Sequence, residues 1–181
     1  DEYTLLSKFL HKYYEIQPTI ITGWNIDFFD IPYLYNRMVK ILGEKQARSL
    51  SPINDVIWLK HRNRYRISGV SCLDYMALYK NFTYSQESSY SLEAISQKEL
   101  GKGKMKYEGS LDDLMRNDIQ GYIDYNMNDV DLVYEIDQKM KLIDLARSIC
   151  HKGHVPYEDF LFPTRYLDGA ALTYLKRLNI I

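Results

Sequence analysis

The first 42 residues alternate between helical and extended patterns, and this alternation constrains the fold more than any other feature of the sequence. Apolar side chains recur at helical spacing over residues 3–16. Residues 19–22 are β-branched throughout and end at Gly23, which is typical of a buried strand followed by a tight turn. A second helix is predicted over residues 31–42, because Pro32 suits a first helical turn. Helix, strand and helix in this order predict an α/β fold.

The middle of the chain predicts a hairpin and several short elements. Residues 55–60 and 65–70 flank the polar stretch 61–64, which indicates a β-hairpin with a basic tip. The patterns that follow predict a strand at 71–73, helices at 74–82 and 91–100, a flexible Gly/Lys loop at 101–104, a short helix at 111–115 and a last helix at 168–178.

A proline-free stretch over residues 119–150 predicts one long helix. Asp129 interrupts the apolar stripe of this helix, and Tyr125 lies one turn before it on the same face. A carboxylate on a core-facing stripe is costly unless something compensates its charge. A metal ion would do so, and so would a hydrogen bond from a backbone amide. Spacing alone leaves both interpretations open.

Asp30 precedes Ile31 and Pro32 at the predicted start of the second helix. An aspartate in this position can cap the helix and interact favourably with its dipole. A single carboxylate at a helix start therefore has a structural interpretation as well as a functional one.

Composition limits the function classes. Lys and Arg total 23 against 24 Asp and Glu, so the chain lacks the basic surplus of a dedicated nucleic-acid scaffold, and any nucleic-acid contact is expected to be local. The two cysteines, Cys72 and Cys150, are far apart in sequence and indicate free thiols rather than a disulfide framework. Neither a membrane-spanning run nor a signal-peptide pattern is evident, which predicts a cytoplasmic protein with no membrane partner.

Two segments resemble motifs of the family B DNA polymerases. Residues 21–33, Ile-Thr-Gly-Trp-Asn-Ile-Asp-Phe-Phe-Asp-Ile-Pro-Tyr, resemble the family's Exo II motif, with its Asn-x-x-x-Phe-Asp core intact. Residues 125–129, Tyr-Asn-Met-Asn-Asp, resemble the Exo III motif, Tyr-x-x-x-Asp, and are predicted to lie on a helix as that motif requires. Segments between them resemble the T-even phage type of the family, so the resemblance covers essentially the whole chain.

The resemblance implies a ribonuclease-H-like α/β fold with 3′→5′ exonuclease activity in proofreading. It implies four carboxylates and a tyrosine that hold two Mg²⁺ or Mn²⁺ ions on the terminal phosphodiester. Asp129 would bind the first metal, Asp30 the second, and the Tyr125 hydroxyl would position the attacking water. Asn25 and Phe29 would contact the frayed 3′ nucleotides of the DNA. Packing of Phe29 in the core is the alternative.

The hairpin resembles, in position, the one that phage polymerases use to part the primer strand from its template. Arg62 and Arg64, with Arg66 beside them, are candidate phosphate contacts. A solvated charged turn is the competing interpretation.

The family's other two carboxylates come from Exo I, an Asp-x-Glu tripeptide, and no Asp-x-Glu occurs in this sequence. We therefore expect residues 1–181 to form a partial exonuclease domain, truncated at its amino end and inactive alone. Residues 146–181 would lead toward a missing palm domain. The expected partners are a single-stranded 3′ DNA end, the missing polymerase domains and a replisome clamp.

Two other functions remain as alternatives. The chain could belong to a stand-alone exonuclease of the same carboxylate type, or it could be a non-catalytic DNA-binding or structural module. Cys150, His151 and His154 do not complete a zinc motif, because a second Cys/His pair is missing. Asp74 is interpreted as a structural hydrogen-bond acceptor at a strand end.

Overall fold

The computed structural model of the chain describes residues 1–180. In chain order its elements are α1 (Glu2–Ile16), β1 (Ile20–Gly23), α2 (Asp30–Leu42), α3 (Glu44–Arg48), β2 (Val56–Leu59), β3 (Arg64–Ile67), β4 (Ser71–Asp74), α4 (Tyr75–Phe82), α5 (Leu92–Leu100), α6 (Leu111–Asn117), α7 (Ile119–Met140), α8 (Leu142–Gly153) and α9 (Pro163–Arg177). A 3-10 segment, Tyr157–Leu161, lies between α8 and α9. The α/β class predicted from the sequence is confirmed.

Strands β1 and β4 form a parallel pair whose carboxyl ends lie side by side, with Gly23 opposite Asp74. The carboxyl ends of parallel strands are the usual location of ligand sites in α/β proteins. The chain turns sharply after β1, because a Cβ on Gly23 would lie only 2.6 Å from Ile26 Cγ2. Glycine therefore permits the close turn that starts the loop of residues 24–29.

The predicted hairpin is confirmed. Strands β2 and β3 pair antiparallel, with Val56 opposite Ile67 and Leu59 opposite Arg64. Arg64 thus belongs to β3 and not to the turn, which changes the environment expected for its side chain.

Two clusters of buried side chains form the core. One joins β4, α4, α5, α7 and α8, and it includes Leu73, Tyr79, Ile95, Ile136 and Ala146. The other joins α1, α2, α3, the β2–β3 hairpin and β4, and it includes Leu6, Met38, Ala47, Ile67 and Cys72. Strand β4 contributes to both clusters, so it ties the α7 half of the molecule to the α2 half.

The prediction of a single long helix over residues 119–150 is wrong. The chain forms two helices, α7 and α8, which meet at Lys141 in the left-handed conformation with φ 55° and ψ 37°. Asp137 Oδ1 stabilises this corner by accepting hydrogen bonds from the Ile143 N–H at 3.2 Å and the Tyr75 hydroxyl at 3.1 Å. The break therefore comes from tertiary hydrogen bonds and not from a proline or glycine.

Helix α9 begins at Pro163, five residues earlier than predicted, and the proline occupies the first turn that suits it. Cys72 and Cys150 are both free, as the sequence predicted, and the structure shows that both are buried. Across residues 1–180, none of the helices has the length and apolar character needed to cross a bilayer.

Candidate active site

The loop of residues 24–29 is anchored to the carboxylate of Asp74. Asp74 Oδ1 accepts a hydrogen bond from the Asn25 N–H, Oδ2 accepts one from the Asp27 N–H, and both bonds measure 3.2 Å. The same carboxylate caps α4 by accepting the N–H groups of Met76 and Ala77. Asp74 is 1% exposed, so its carboxylate depends on these four donors. The structural interpretation of Asp74 is confirmed.

Asp30 is the first residue of α2 and projects from the end of this loop. Its side chain makes no capping hydrogen bond, because Phe29 occupies the cap position, so the predicted cap is wrong. Its place in the first turn of α2 does agree with the predicted interaction with the helix dipole. Although the residue reaches the surface, neighbouring atoms partly desolvate its carboxylate and raise its pKa, and the negative charge of Asp74 acts in the same direction. A nearby cation would stabilise the ionised form of such a carboxylate.

Phe29 is exposed, which contradicts its alternative interpretation as a core residue. Its side chain is 65% exposed and stacks on Tyr33, with ring centroids 6.2 Å apart and planes within 8°. Asn25 lies at the opposite end of the loop with a positive φ of 64°, a conformation that asparagine tolerates well. The loop therefore presents an aromatic surface beside Asp30, and stacking on such a surface is a common way to hold an unpaired base.

The second group of candidate residues lies on α7. Lys104 Nζ donates to Asp129 Oδ2 at 2.7 Å and to the Tyr125 hydroxyl at 3.3 Å. The Tyr107 ring packs edge-on against Tyr125 with centroids 5.2 Å apart. Tyr125 and Asp129 thus both accept a hydrogen bond from the Lys104 ammonium, as their spacing of one helical turn allows.

Lys104 is the site residue that the sequence did not reveal. Burial disfavours its ammonium, but the hydrogen bonds to Asp129 and Tyr125 outweigh that effect and raise its pKa. The Gly/Lys loop was predicted to be flexible, yet Glu93 fixes it by accepting the Lys104 N–H at 2.6 Å. The lysine and the aspartate are 25 residues apart in sequence, so no local pattern connects them.

The surroundings of Asp129 fit a cation. Lys104 engages only Oδ2, while Asp129 Oδ1 is buried and accepts no hydrogen bond, and the buried Asn128 Nδ2 likewise has no partner within residues 1–180. A buried carboxylate oxygen without a donor is costly, and a divalent ion is one group that satisfies it. Stabilisation of Asp129 by a backbone amide, the other sequence-based interpretation, does not occur among the described residues.

Asp30 and the α7 group make no direct contact within the described residues. Within residues 1–180 no hydrogen bond or ion pair joins Asp30 to Asp129 or Tyr125. Trp24, at the start of the loop, packs against the buried cluster that contains Leu132, which lies one turn beyond Asp129. Asp129 therefore lies on a helix of this cluster, whereas Asp30 follows a loop whose first residue packs against it and belongs to a helix of the other cluster.

The hairpin arginines differ in environment. Arg62 lies 4.3 Å above the Phe162 ring, in a cation–π contact. Arg64 is buried and paired with Asp27, so its guanidinium does not face solvent as a phosphate contact must. The prediction that Arg64 binds DNA treated the residue as part of the exposed tip, whereas it lies in β3 against the Asp27 loop.

No group of three or more His, Cys, Asp or Glu side chains that could hold a metal occurs within the described residues. Cys150, His151 and His154 do not form such a group. These three residues line an open groove together with Ser71 and Tyr157.

Comparison with known proteins identifies similar sequences among DNA polymerases. The family described as DNA polymerase family B, exonuclease domain, matches residues 1–95. The DNA-directed DNA polymerase of Enterobacteria phage T4 is 37% identical over 182 residues, which cover 97% of this chain and 20% of that protein. The corresponding polymerase of Escherichia phage RB69 is also 37% identical, over 99% of this chain and 20% of its own length.

More distant relatives come from other organisms. The catalytic subunit of DNA polymerase epsilon from Saccharomyces cerevisiae is 30% identical over 111 residues, covering 61% of this chain and 5% of that protein. The chain thus spans about a fifth of the length of the phage proteins that it matches.

Proposed function

Because the chain belongs to the exonuclease domain family of the family B DNA polymerases, we propose that it forms part of a proofreading 3′→5′ exonuclease. Its fold would be the ribonuclease-H-like one, and its reaction the hydrolysis of the 3′-terminal phosphodiester of DNA. The observation that carries the proposal is the buried Asp129 Oδ1, which has no donor among the described residues, while Oδ2 and Tyr125 share Lys104.

Asp129 and Asp30 would hold the two divalent ions, Mg²⁺ or Mn²⁺, together with an Asp-x-Glu pair from a strand upstream of this sequence. Bound ions of this kind lower the pKa of an attacking water and neutralise charge on the leaving oxygen. Carboxylate oxygens are the ligands that both ions prefer. This chain contributes two of the required carboxylates, so we propose that residues 1–181 alone are inactive.

The remaining residues would hold and orient the substrate. Tyr125 presents its hydroxyl next to Asp129 and is fixed by Tyr107 and Lys104, so it is suited to orient the attacking water. Phe29 and Asn25 would hold the last nucleotides of a frayed 3′ end by stacking and hydrogen bonding. Arg62 would contact a phosphate near the hairpin. Lys104 would balance the negative charge that gathers around Asp129 and the scissile phosphate.

The whole polypeptide would be a DNA polymerase that acts in the host cytoplasm, with a clamp partner and a palm domain toward which residues 146–181 lead. The test uses the full natural polypeptide, which would include the proposed Asp-x-Glu strand upstream of residue 1. We expect it to release mononucleotides from the 3′ end of a single-stranded oligonucleotide with Mg²⁺, and to stop when EDTA is added. Release from the 5′ end, or no release in either direction, would contradict the proposal.

Lys104 provides a second test of the same assignment. Lys104→Met removes the ammonium that aligns Tyr125 and Asp129, and we expect it to slow single-stranded excision about 10–100-fold. Lys102→Met is the matched control, because Lys102 is two residues away and its ion pair with Glu135 is exposed. Equal rates for the two variants would show that Lys104 has no special role.

A further inference from the structure

The β2–β3 hairpin and the loop of residues 24–29 are joined by an ion pair that the sequence does not reveal. Arg64 Nη1 donates to Asp27 Oδ2, and the two side chains are only 11% and 8% exposed. Arg64 lies in β3, while Asp27 lies three residues before Asp30. The pair therefore links a strand of the hairpin directly to the loop that ends at a candidate metal ligand.

The pair lies among other carboxylates. Burial raises the pKa of Asp27, and the positive charge of Arg64 opposes that rise. Asp74 adds a second negative charge near Asp27, and Glu158 of the 3-10 segment faces Arg64 and Arg66. Without Arg64, a cluster of carboxylates would therefore lack its buried cation.

The loop is held at two points, and each point restrains a different movement. Asp74 holds the backbone of the loop through the N–H groups of Asn25 and Asp27. Arg64 holds the Asp27 side chain and connects it to β3. A shift of the hairpin must therefore pull on Asp27, whose backbone cannot follow without breaking a bond to Asp74.

A buried ion pair is weak evidence for stability, because desolvation of two charges offsets much of their attraction. Its clearer effect is to fix one arrangement of two elements, since breaking it leaves a buried charge without a partner. We propose that Arg64 and Asp27 are positioning residues that make the hairpin and the loop of residues 24–29 move as one unit. A DNA strand that contacts the hairpin is thereby held in a fixed position relative to Asp30. The link to DNA rests on the proposed exonuclease function, whereas the mechanical coupling does not.

Hydrogen exchange of the full natural polypeptide without metal tests the coupling. Arg64→Met leaves Asp27 buried and unpaired, and we expect amide exchange to accelerate about tenfold or more in both residues 24–31 and residues 56–67. Arg66→Met is the matched control on the same strand, because Arg66 is exposed and lies 3.9 Å from its partner Asp55. This control should leave exchange in the loop unchanged.

A doubly neutral variant separates loss of coupling from loss of folding. Asp27→Asn combined with Arg64→Met removes both charges, so we expect slower exchange in the loop than in Arg64→Met alone. An acceleration confined to the hairpin, with the loop unchanged in Arg64→Met, would overturn the proposal. A doubly neutral variant whose loop exchanges as slowly as in the unmodified polypeptide would also overturn it, because the unpaired buried charge and not the lost link would then explain the effect of Arg64→Met.

Excision assays then connect the coupling to function. If the natural polypeptide digests single-stranded DNA, Arg64→Met should lower kcat about tenfold per folded molecule, and Arg64→Lys should recover part of the loss. A role in stability alone would lower the melting temperature and leave this kcat unchanged, which would contradict the positioning role. If the unmodified polypeptide has no nuclease activity, the proposed function fails while the exchange experiment still decides the coupling.

Discussion

Asp129→Ala is expected to slow 3′-terminal excision by the full natural polypeptide about 10³-fold or more, because loss of a metal ligand removes several kcal/mol of transition-state stabilisation. The fold should change little. Within residues 1–180 Asp129 makes one ion pair, with Lys104, and that pair is partly exposed, so we expect its loss to cost no more than about 1 kcal/mol. The same change also removes the buried Oδ1, for which the described part of the chain supplies no donor.

The combination of these two effects is what identifies a ligand. Replacing a residue that supports the core would lower stability and activity together, whereas Asp129→Ala should lower activity alone. Asp131→Ala is the matched control, because Asp131 is an exposed carboxylate on the same helix, two residues away. Initial rates on a 3′-labelled single-stranded oligonucleotide and a melting curve provide the two measurements. Full excision activity in Asp129→Ala would refute the assignment.

Asp74→Ala is expected to cause the largest loss of stability, a decrease in the free energy of unfolding of about 3–5 kcal/mol. The carboxylate is buried and accepts four backbone N–H groups, two from the loop of residues 24–29 and two from the start of α4. Alanine leaves all four donors without a partner. Urea unfolding followed by tryptophan fluorescence measures the change, because Trp24 stacks on Tyr75 next to Asp74.

Two further variants show whether the hydrogen bonds are the cause. Asp74→Asn keeps an oxygen in place of Oδ1 but presents an amide in place of Oδ2, where the Asp27 N–H needs an acceptor. We therefore expect a smaller loss than for alanine. Asp118→Ala removes an exposed cap on the Gly121 N–H at the start of α7, and it should cost only about 1 kcal/mol. Equal losses for Asp74→Ala and Asp118→Ala would contradict the role of Asp74.

The sequence predicted the elements wherever a local pattern determines them. The β-branched run ending at Gly23, the hairpin around residues 61–64 and the helix start after Ser110 all depend on neighbours in the chain. The left-handed conformation of Lys141 does not depend on its neighbours in the chain. The corner between α7 and α8 depends on Asp137 and its partner Tyr75, 62 residues away. A chain without proline or glycine at this point gives no local signal for the break.

The residues of the candidate site likewise differ in whether a local pattern reveals them. Asp30, Tyr125 and Asp129 were found by their motifs, and their roles in metal binding and catalysis remain predictions. Lys104 was missed because its contact with Asp129 spans 25 residues and closes only in the fold. Arg64 was expected at the surface because it was assigned to the tip of the hairpin, yet it lies in β3 and pairs with Asp27, 37 residues earlier.

The central claim is that Asp30 and Asp129, on separate halves of the molecule, share one cation-binding cleft. Its most direct test is anomalous diffraction from Mn²⁺ in crystals of the full natural polypeptide with a short single-stranded oligonucleotide. We expect two peaks about 3.5–4 Å apart at the terminal phosphate, one bound by Asp129 and the other within direct or water-mediated reach of Asp30. Manganese bound away from both carboxylates, or Asp30 and Asp129 on opposite faces of the molecule, would contradict the account.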